Sequence, residues 1–393
     1  MKPTSDVQVF EPYRLGPLTL RNRIVKAATF EGVMPNGMVS DKLIEFHRRV
    51  AAGGAALSTV AYCAVSDGGR VHRHTMVMRP EMTADLQRLT DAVHAEGGLV
   101  SAQLGHAGLV ANTRSNRKPT LAPSTRWSNP AFTRVAAATV PQLDEVVEQF
   151  TAAARVVRDA GFDAIEVHLG HNYLLSSFLS PNLNHRHDEY GGSIENRLRL
   201  ARRVLEAVKT VTGDRMALTA KLNMDDGVKG GLWLEESVPM AKVLEADGLL
   251  DAIQLTGGSS LLNGMYFFRG HVPLDEFAAT QPKLVGLGLK VMGHKIFPEY
   301  PFEEGFFLPL ARQFRAEMSM PLVLLGGINE METIEGALGE GFELVAMARA
   351  LLREPDLPNR FRDEGRRSSL CVHCNLCLPT IYTGTRCVLV PEQ

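Results

Sequence analysis

Short unbroken apolar runs recur along the chain, each followed by a segment whose apolar residues fall at helical spacing. The runs are Arg23–Thr29, Ala56–Ala61, Leu99–Leu104, Ala164–His168, Met216–Leu222, Ala252–Thr256, Pro321–Leu325 and Leu344–Met347. The helical patterns cover Asp41–Ala52, Glu81–Glu96, Leu143–Ala160, Ser193–Val211, Glu235–Asp247, Phe302–Met318, Glu330–Gly339 and Asp356–Asp363. Continuous apolar runs suit parallel strands covered on both faces, whereas strands with one wet face alternate. Glycines in AAGGA, HAEGGL, DAGFDA and GEGFEL sit between a helix and the next strand, where helices close.

Eight strand–helix units are the number that closes a barrel. The expected fold is α/β, a (β/α)8 TIM barrel with long βα-loop insertions over residues 1–365, followed by a short Cys-rich tail over 366–393. An open doubly wound sheet is the alternative, but no G-x-G-x-x-G links a strand to its helix. No repeat beyond the unit itself and no low-complexity linker is seen. In a barrel the chemistry sits at the carboxyl ends of the strands, so the candidate residues are sought there.

Composition narrows the function. The 393 residues carry 42 Lys and Arg against 44 Asp and Glu, a net charge of −2. That balance argues against a nucleic-acid binder, which needs concentrated positive charge. Hydrophobic residues at 45% and charged residues at 22% suit a folded soluble protein. No apolar run is long enough to cross a bilayer, and the N-terminus has no basic-then-apolar signal, so a cytoplasmic location without membrane partners is expected. Four of the five cysteines lie between Cys371 and Cys387, which is no disulfide framework.

The fourth run leads into His168, His171 and Tyr173. Imidazoles can donate hydrogen bonds to a carbonyl oxygen, and a phenol can deliver a proton. A metal pair or a hydrogen-bonded loop is the plainer alternative; a polar trio on the catalytic rim favours chemistry. In the following loop, Ser193 with Asn196 is expected to cap the next helix after a turn at Gly191-Gly192. Gln103 ends the third run, and its amide offers the donor and acceptor that a heterocycle edge requires. Lys221 in the fifth run is a buried cation that calls for an anionic partner. Gly326-Gly327 follow the seventh run and Arg349 the eighth, where such barrels bind phosphate. An amide, a buried cation and a phosphate cradle together fit a phosphorylated planar cofactor, and FMN has that chemistry.

The tail reads C-x2-C-x2-C-x9-C through Cys371, Cys374, Cys377 and Cys387. Three closely spaced thiolates and a distant fourth suit a [4Fe–4S] cluster. Zinc takes the same ligands, and reduced thiols on an ordered tail are the third alternative.

At this point the motifs identify a resemblance. LRNRIVKAA, AQLGHAG, GFDAIEVHLGHNYLLSSFLSP, NHRHDEYGGSIENR, LLGGI and AMARALLREP resemble the Old Yellow Enzyme family of FMN-dependent oxidoreductases, in its bacterial branch near the 2,4-dienoyl-CoA reductase barrel domain. The resemblance runs from about Phe10 to about Asp363. It implies that His168 and His171 hydrogen-bond a substrate carbonyl and that Tyr173 donates a proton. It implies that Ala27, Ala28, Thr29, Tyr62, Gln103, Lys221, Gly326, Gly327, Ala348 and Arg349 bind FMN. Lys221 stands where the family usually has Arg, which keeps the charge and loses the planar fork. Phe30 stands where relatives carry a small polar or thiol residue. Relatives near the dienoyl-CoA reductases carry a [4Fe–4S] cluster where this tail lies, with longer spacing in both later gaps. The multidomain relatives continue into a second flavin- and nicotinamide-binding module. A chain ending at Gln393 is expected to lack it, so that NAD(P)H reduces FMN in the substrate pocket itself.

The expected activity is therefore an FMN-dependent ene-reductase that passes hydride from NAD(P)H to an α,β-unsaturated carbonyl compound. An FMN and iron–sulfur dehydrogenase acting oxidatively on an amine or ring substrate is the alternative, and a non-catalytic flavin- or metal-binding barrel the third. The partner is a small molecule, and the sequence leaves room for a homo-oligomer. The insert from Gly257 to about Tyr300 is expected to shape the substrate pocket.

Overall fold

A computed structural model describes residues 9–128, 133–280 and 283–391. Eight parallel strands form the centre: β1 (Ile24–Lys26), β2 (Leu57–Ala64), β3 (Leu99–Gly105), β4 (Ala164–Leu169), β5 (Ala217–Asn223), β6 (Ala252–Thr256), β7 (Leu322–Leu325) and β8 (Leu344–Met347). Each pairs with the next, and β8 pairs back to β1 through Val345 opposite Ile24, so the sheet closes. Around it lie α1 (Asp41–Ala52), α2 (Thr83–Ala95), α3 (Val140–Asp159), α4 (Ile194–Thr212), α5 (Leu234–Ala246), α6 (Leu308–Glu317), α7 (Met331–Gly339) and α8 (Leu357–Asp363). The fold is the (β/α)8 barrel that the hydrophobic pattern implies.

The bottom of the barrel is plugged. A hairpin of Tyr13–Leu15 and Leu18–Leu20 covers the amino ends of the strands. Its Leu15 and Leu20 are buried against Ala164, Ala217 and Ala252, the first residues of β4, β5 and β6. Small residues there leave room for the plug, and the opposite mouth stays open for chemistry.

Local signals explain most element boundaries. Ser193 accepts the Asn196 N–H and caps α4 as expected. The helix α3 starts at Val140, ahead of the apolar pattern, because Thr139 and Gln142 form a reciprocal capping box. By contrast, β1 ends at Lys26 and α6 starts only at Leu308. Residues Ala27–Phe30 and Phe306–Phe307 instead line the upper cavity. The insert after β6 contains helices Leu274–Ala279 and Lys283–Ile296. No helix among the described residues is long and apolar enough to cross a membrane.

Candidate active site

A cavity of about 390 Å³ opens at the carboxyl ends of the strands, a size suited to a small-molecule or cofactor site. Ala27, Ala28, Thr29, Tyr62, Gln103, His168, His171, Tyr173, Lys221, Gly326, Gly327, Ala348 and Arg349 all line it. Residues scattered over more than 300 positions thus meet at one place because each follows or ends a barrel strand.

Strand register sets one wall. Gln103 lies opposite Glu166, and Lys221 opposite both His168 and Gln254. Glu166 and His168 are two apart on β4, so both side chains face the same side. Glu166 Oε1 accepts the Gln103 amide at 2.7 Å and the Lys221 ammonium at 3.0 Å. It is the anion that a buried Lys221 requires. With its Nε2 given to Glu166, Gln103 presents its carbonyl oxygen as the remaining amide acceptor.

A second buried pair stands beneath the first loop. Lys26 donates to Glu31 Oε1 at 2.7 Å and to Thr29 Oγ1 at 2.9 Å. Glu31 Oε2 accepts the Ala61 N–H at 2.9 Å, and the Glu31 carbonyl accepts the Thr385 N–H at 2.7 Å. The loop that carries Ala27–Phe30 is therefore tied to β1, to β2 and to the C-terminal segment.

Next to it, His168, His171 and Tyr173 form one cluster. The His168 ring lies 5.1 Å from that of His171 and 4.6 Å from that of Tyr173. His171 and Asn172 adopt left-handed backbone, with φ of 59° and 58°. The His171 N–H donates to Asn223 Oδ1 at 3.0 Å, and Asn223 Nδ2 donates to Asp226 and Gly258, both at 2.9 Å. Thr256 Oγ1 sits 3.0 Å from His171 Nε2, and Phe267 stacks on the same ring at 4.5 Å. Burial pushes the His171 pKa down to about 3 and holds His168 well below its usual value, with Lys221 adding to both shifts. Both imidazoles are neutral at pH 7 and carry one N–H each. His168 Nδ1 is buried with no partner, an open hydrogen-bonding position in the cavity wall.

The third wall follows β7 and β8. Gly326 and Gly327 have φ of 114° and 72°. A Cβ on Gly327 would lie 2.6 Å from the Phe306 ring and 2.8 Å from the Glu303 carbonyl, so the bare backbone is required here. Arg349 is half-buried and donates from Nη1 to the carbonyls of Phe268 at 3.3 Å and Arg269 at 2.8 Å, and to Asn375 Oδ1.

These groups fit FMN: a carbonyl acceptor on Gln103, a cation on Lys221, open backbone at Gly326-Gly327 and the Arg349 guanidinium. Phe30 also lines the cavity and packs against the small apolar cluster that includes Tyr62. From the insert after β6 come Met265, Phe267, Phe268 and Phe277, so that segment does form a wall of the pocket.

Of the three alternatives for the tail, the two that bind metal find no support. Cys371, Cys374, Cys377 and Cys387 all border one small hollow together with Arg349 and Arg353. All are free thiols. Yet no group of three or more His, Cys, Asp or Glu among the described residues is placed to hold a metal ion. The turn is shaped by other contacts: His373 stacks on Phe302 at 3.3 Å, and Asn375 bonds to Arg349 and to the His271 carbonyl. Burial raises the Cys371 thiol and pushes the Cys377 thiol up to about 12. Neither the [4Fe–4S] nor the zinc expectation is supported by this arrangement.

Glu166, Asn223, Thr256 and Asn375 were not singled out from the sequence. Glu166 had a legible signal, since it precedes His168 by two on the same strand. Asn223 has the same relation to Lys221. Thr256 and Asn375 are recognised only through their partners.

Comparison with known proteins gives a consistent picture. Residues 8–255 match the family model described as the NADH:flavin oxidoreductase / NADH oxidase family. The chain is 70% identical over 381 residues to 4,4'-dithiodibutanoate disulfide reductase of Rhodococcus erythropolis, covering 97% of this chain and 94% of that protein. It is 28% identical to NADH oxidase of Thermoanaerobacter brockii, over 94% of this chain and 53% of that protein. Among solved structures, an Old Yellow Enzyme homologue from Zymomonas mobilis matches with a TM-score of 0.74 at 24% identity, over 97% of this chain and all of that one. With the family model covering more than half of its length, the chain belongs to the NADH:flavin oxidoreductase / NADH oxidase family, the Old Yellow Enzyme family, and is an oxidoreductase.

Proposed function

We propose that this chain is an FMN-dependent NAD(P)H reductase whose acceptor is a small organic disulfide, cleaved to two thiols. The observation that carries the reading is 70% identity to a disulfide reductase along nearly the full length of both chains. The balance is RSSR + NAD(P)H + H⁺ → 2 RSH + NAD(P)⁺. FMN, when bound, supplies hydride transfer between nicotinamide and acceptor.

The chain's own residues supply the rest. Ala27, Ala28, Thr29, Tyr62, Gln103, Lys221, Gly326, Gly327, Ala348 and Arg349 hold the cofactor. The aromatic walls from Phe30, Phe267 and Phe268 suit the polarisable sulfurs and exclude water. His168 and His171 donate to the departing sulfur as it gains negative charge, and Tyr173 delivers its proton. For His171 to donate to substrate, the Thr256 hydroxyl must give its hydrogen to Nε2 and leave the ring proton on Nδ1.

The same trio favours a second reading, reduction of an α,β-unsaturated carbonyl compound. There His168 and His171 would hold the carbonyl oxygen and Tyr173 would protonate the α carbon. The oxidative amine or ring alternative needs an electron exit, and the arrangement of the tail cysteines gives it no support.

Anaerobic turnover of the holoenzyme with NADH or NADPH, against 4,4'-dithiodibutanoate and 2-cyclohexenone in parallel, tests the choice. Two thiols formed per reduced nicotinamide consumed support disulfide reduction. Turnover of the enone alone would transfer the assignment to the second reading.

A further inference from the structure

Arg349 borders two hollows at once, the cofactor cavity and the small pocket ringed by the four tail cysteines. A guanidinium lying between two spaces can point to either, and what fixes it is visible. Nη1 donates to the carbonyls of Phe268 and Arg269 and to the side-chain oxygen of Asn375. Asn375 is 1% exposed. Its amide nitrogen donates to the Phe268 carbonyl and, at 2.9 Å, to the His271 carbonyl. Both ends of one buried amide are thus spent on joining three elements: the tail, the insert after β6 and the residue that opens the segment after β8.

The backbone is built around this contact. His373 and Asn375 are both left-handed, with φ of 55° and 56°, on either side of Cys374. Asn tolerates that conformation better than most residues, and the neighbouring His373 is held by its stack on Phe302. The His373 Nε2 accepts the Asn329 amide at 2.6 Å, and Asn329 follows Gly326-Gly327 by two residues. The tail therefore grips both halves of the cradle after β7 and β8.

We infer that Asn375 is a positioning residue for Arg349, and that through it the tail sets the affinity of the barrel for the phosphate of FMN. The inference rests on the reading of Arg349 as the phosphate cation. Without Asn375, the guanidinium loses its side-chain acceptor. The Phe268 carbonyl also loses a donor, so the insert loosens at the same point. A hydrogen bond to a charged group is lost in a buried place, which corresponds to about ten-fold or more in binding.

The test separates position from general damage by using two ligands that differ only in the phosphate. Apoprotein is titrated with FMN and with riboflavin, following quenching of flavin fluorescence, for wild type, Asn375→Ala and Arg349→Ala. The expected result is weaker FMN binding in Asn375→Ala by about ten-fold or more, with riboflavin affinity unchanged. The double variant should bind FMN no more weakly than Arg349→Ala alone, since both act on one contact. Equal weakening of FMN and riboflavin by Asn375→Ala would mean a plain structural role and overturn the inference. If Arg349→Ala itself leaves the FMN-to-riboflavin ratio unchanged, it is the phosphate reading of Arg349 that fails. Should Asn375→Ala fold poorly, Asn375→Ser, which also removes the amide but keeps a small polar side chain, takes its place; selective weakening of FMN is expected there too, and equal weakening of FMN and riboflavin would count against the inference.

Discussion

Glu166 Oε1 lies 3.0 Å from Lys221 Nζ inside the barrel, and both side chains are all but sealed from solvent. Since the same oxygen also accepts the Gln103 amide, one carboxylate orients the two groups assigned to the edge of the flavin. Glu166→Gln leaves Lys221 as a buried cation without its counter-ion. Breaking such a pair costs about 3–5 kcal/mol. Thermal unfolding should show a large drop in Tm, with a larger drop for the apoprotein than for protein saturated with FMN. A Tm within a degree of wild type would show that the pair does not carry this weight.

The flavin itself should be FMN, one per chain and not covalently attached. Acid precipitation followed by chromatography of the supernatant is expected to yield FMN and no FAD. The motivation is the cradle of Gly326-Gly327 with Arg349 and the absence of any dinucleotide-type glycine fingerprint. Recovery of FAD would refute it.

Tyr173→Phe removes a proton donor and keeps the ring beside His168. Reduction of the flavin by NAD(P)H should proceed at close to the wild-type rate. Reoxidation by the acceptor should slow by about 10²-fold or more, the usual size of a general-acid contribution. Stopped-flow measurement of each half-reaction checks this, and equal slowing of both would assign Tyr173 a different role.

Buried histidines dictate how stability responds to acid. His171 is held at about 3 and His106 at about 4 by burial, and His47 and His168 also lie well below the usual imidazole range. Between those values and the ordinary 6.5, the unfolded chain binds more protons than the folded one. Their neutral burial is therefore fully tolerated above about pH 6.5, and stability falls as the pH drops toward about 4. Asp225, raised to about 6 by burial, works in the opposite sense over part of that range, as do Glu31 and Glu343, raised by burial, and His94, raised by its bond to Asp163; the lowered histidines, which also include His72, His74 and His373, outnumber them. Urea midpoints at pH 7.5, 6.0 and 5.0 should decrease in that order; a flat series would contradict the burial pattern.

The barrel was legible because parallel strands buried on both faces leave continuous apolar runs, and β4 and β6 fall within a residue of the runs read from sequence. The site was legible for the same reason: a known strand end gives a known place for His168, Gln103, Lys221 and Gly326. Partners across strands were not. Glu166 pairs with Gln103 and Lys221 through register, 63 and 55 residues away, which no local pattern encodes. The cysteine spacing was a weaker guide. Spacing tells how near thiols can come, but the turn around Cys374 is governed by Asn375 and His373, whose contacts lie in other elements.

Closure of the sheet joins its first strand to its last, with Ile24 opposite Val345, and Thr385 then fastens to the loop at Glu31. During synthesis the chain emerges from its N-terminus, so one edge of β1 pairs early with β2 while the other must wait for a partner more than 300 residues downstream. Until then that edge and the hollow beneath it have no counterpart. The pocket thus comes into being only once β8 has been made, and flavin loading belongs after that closure.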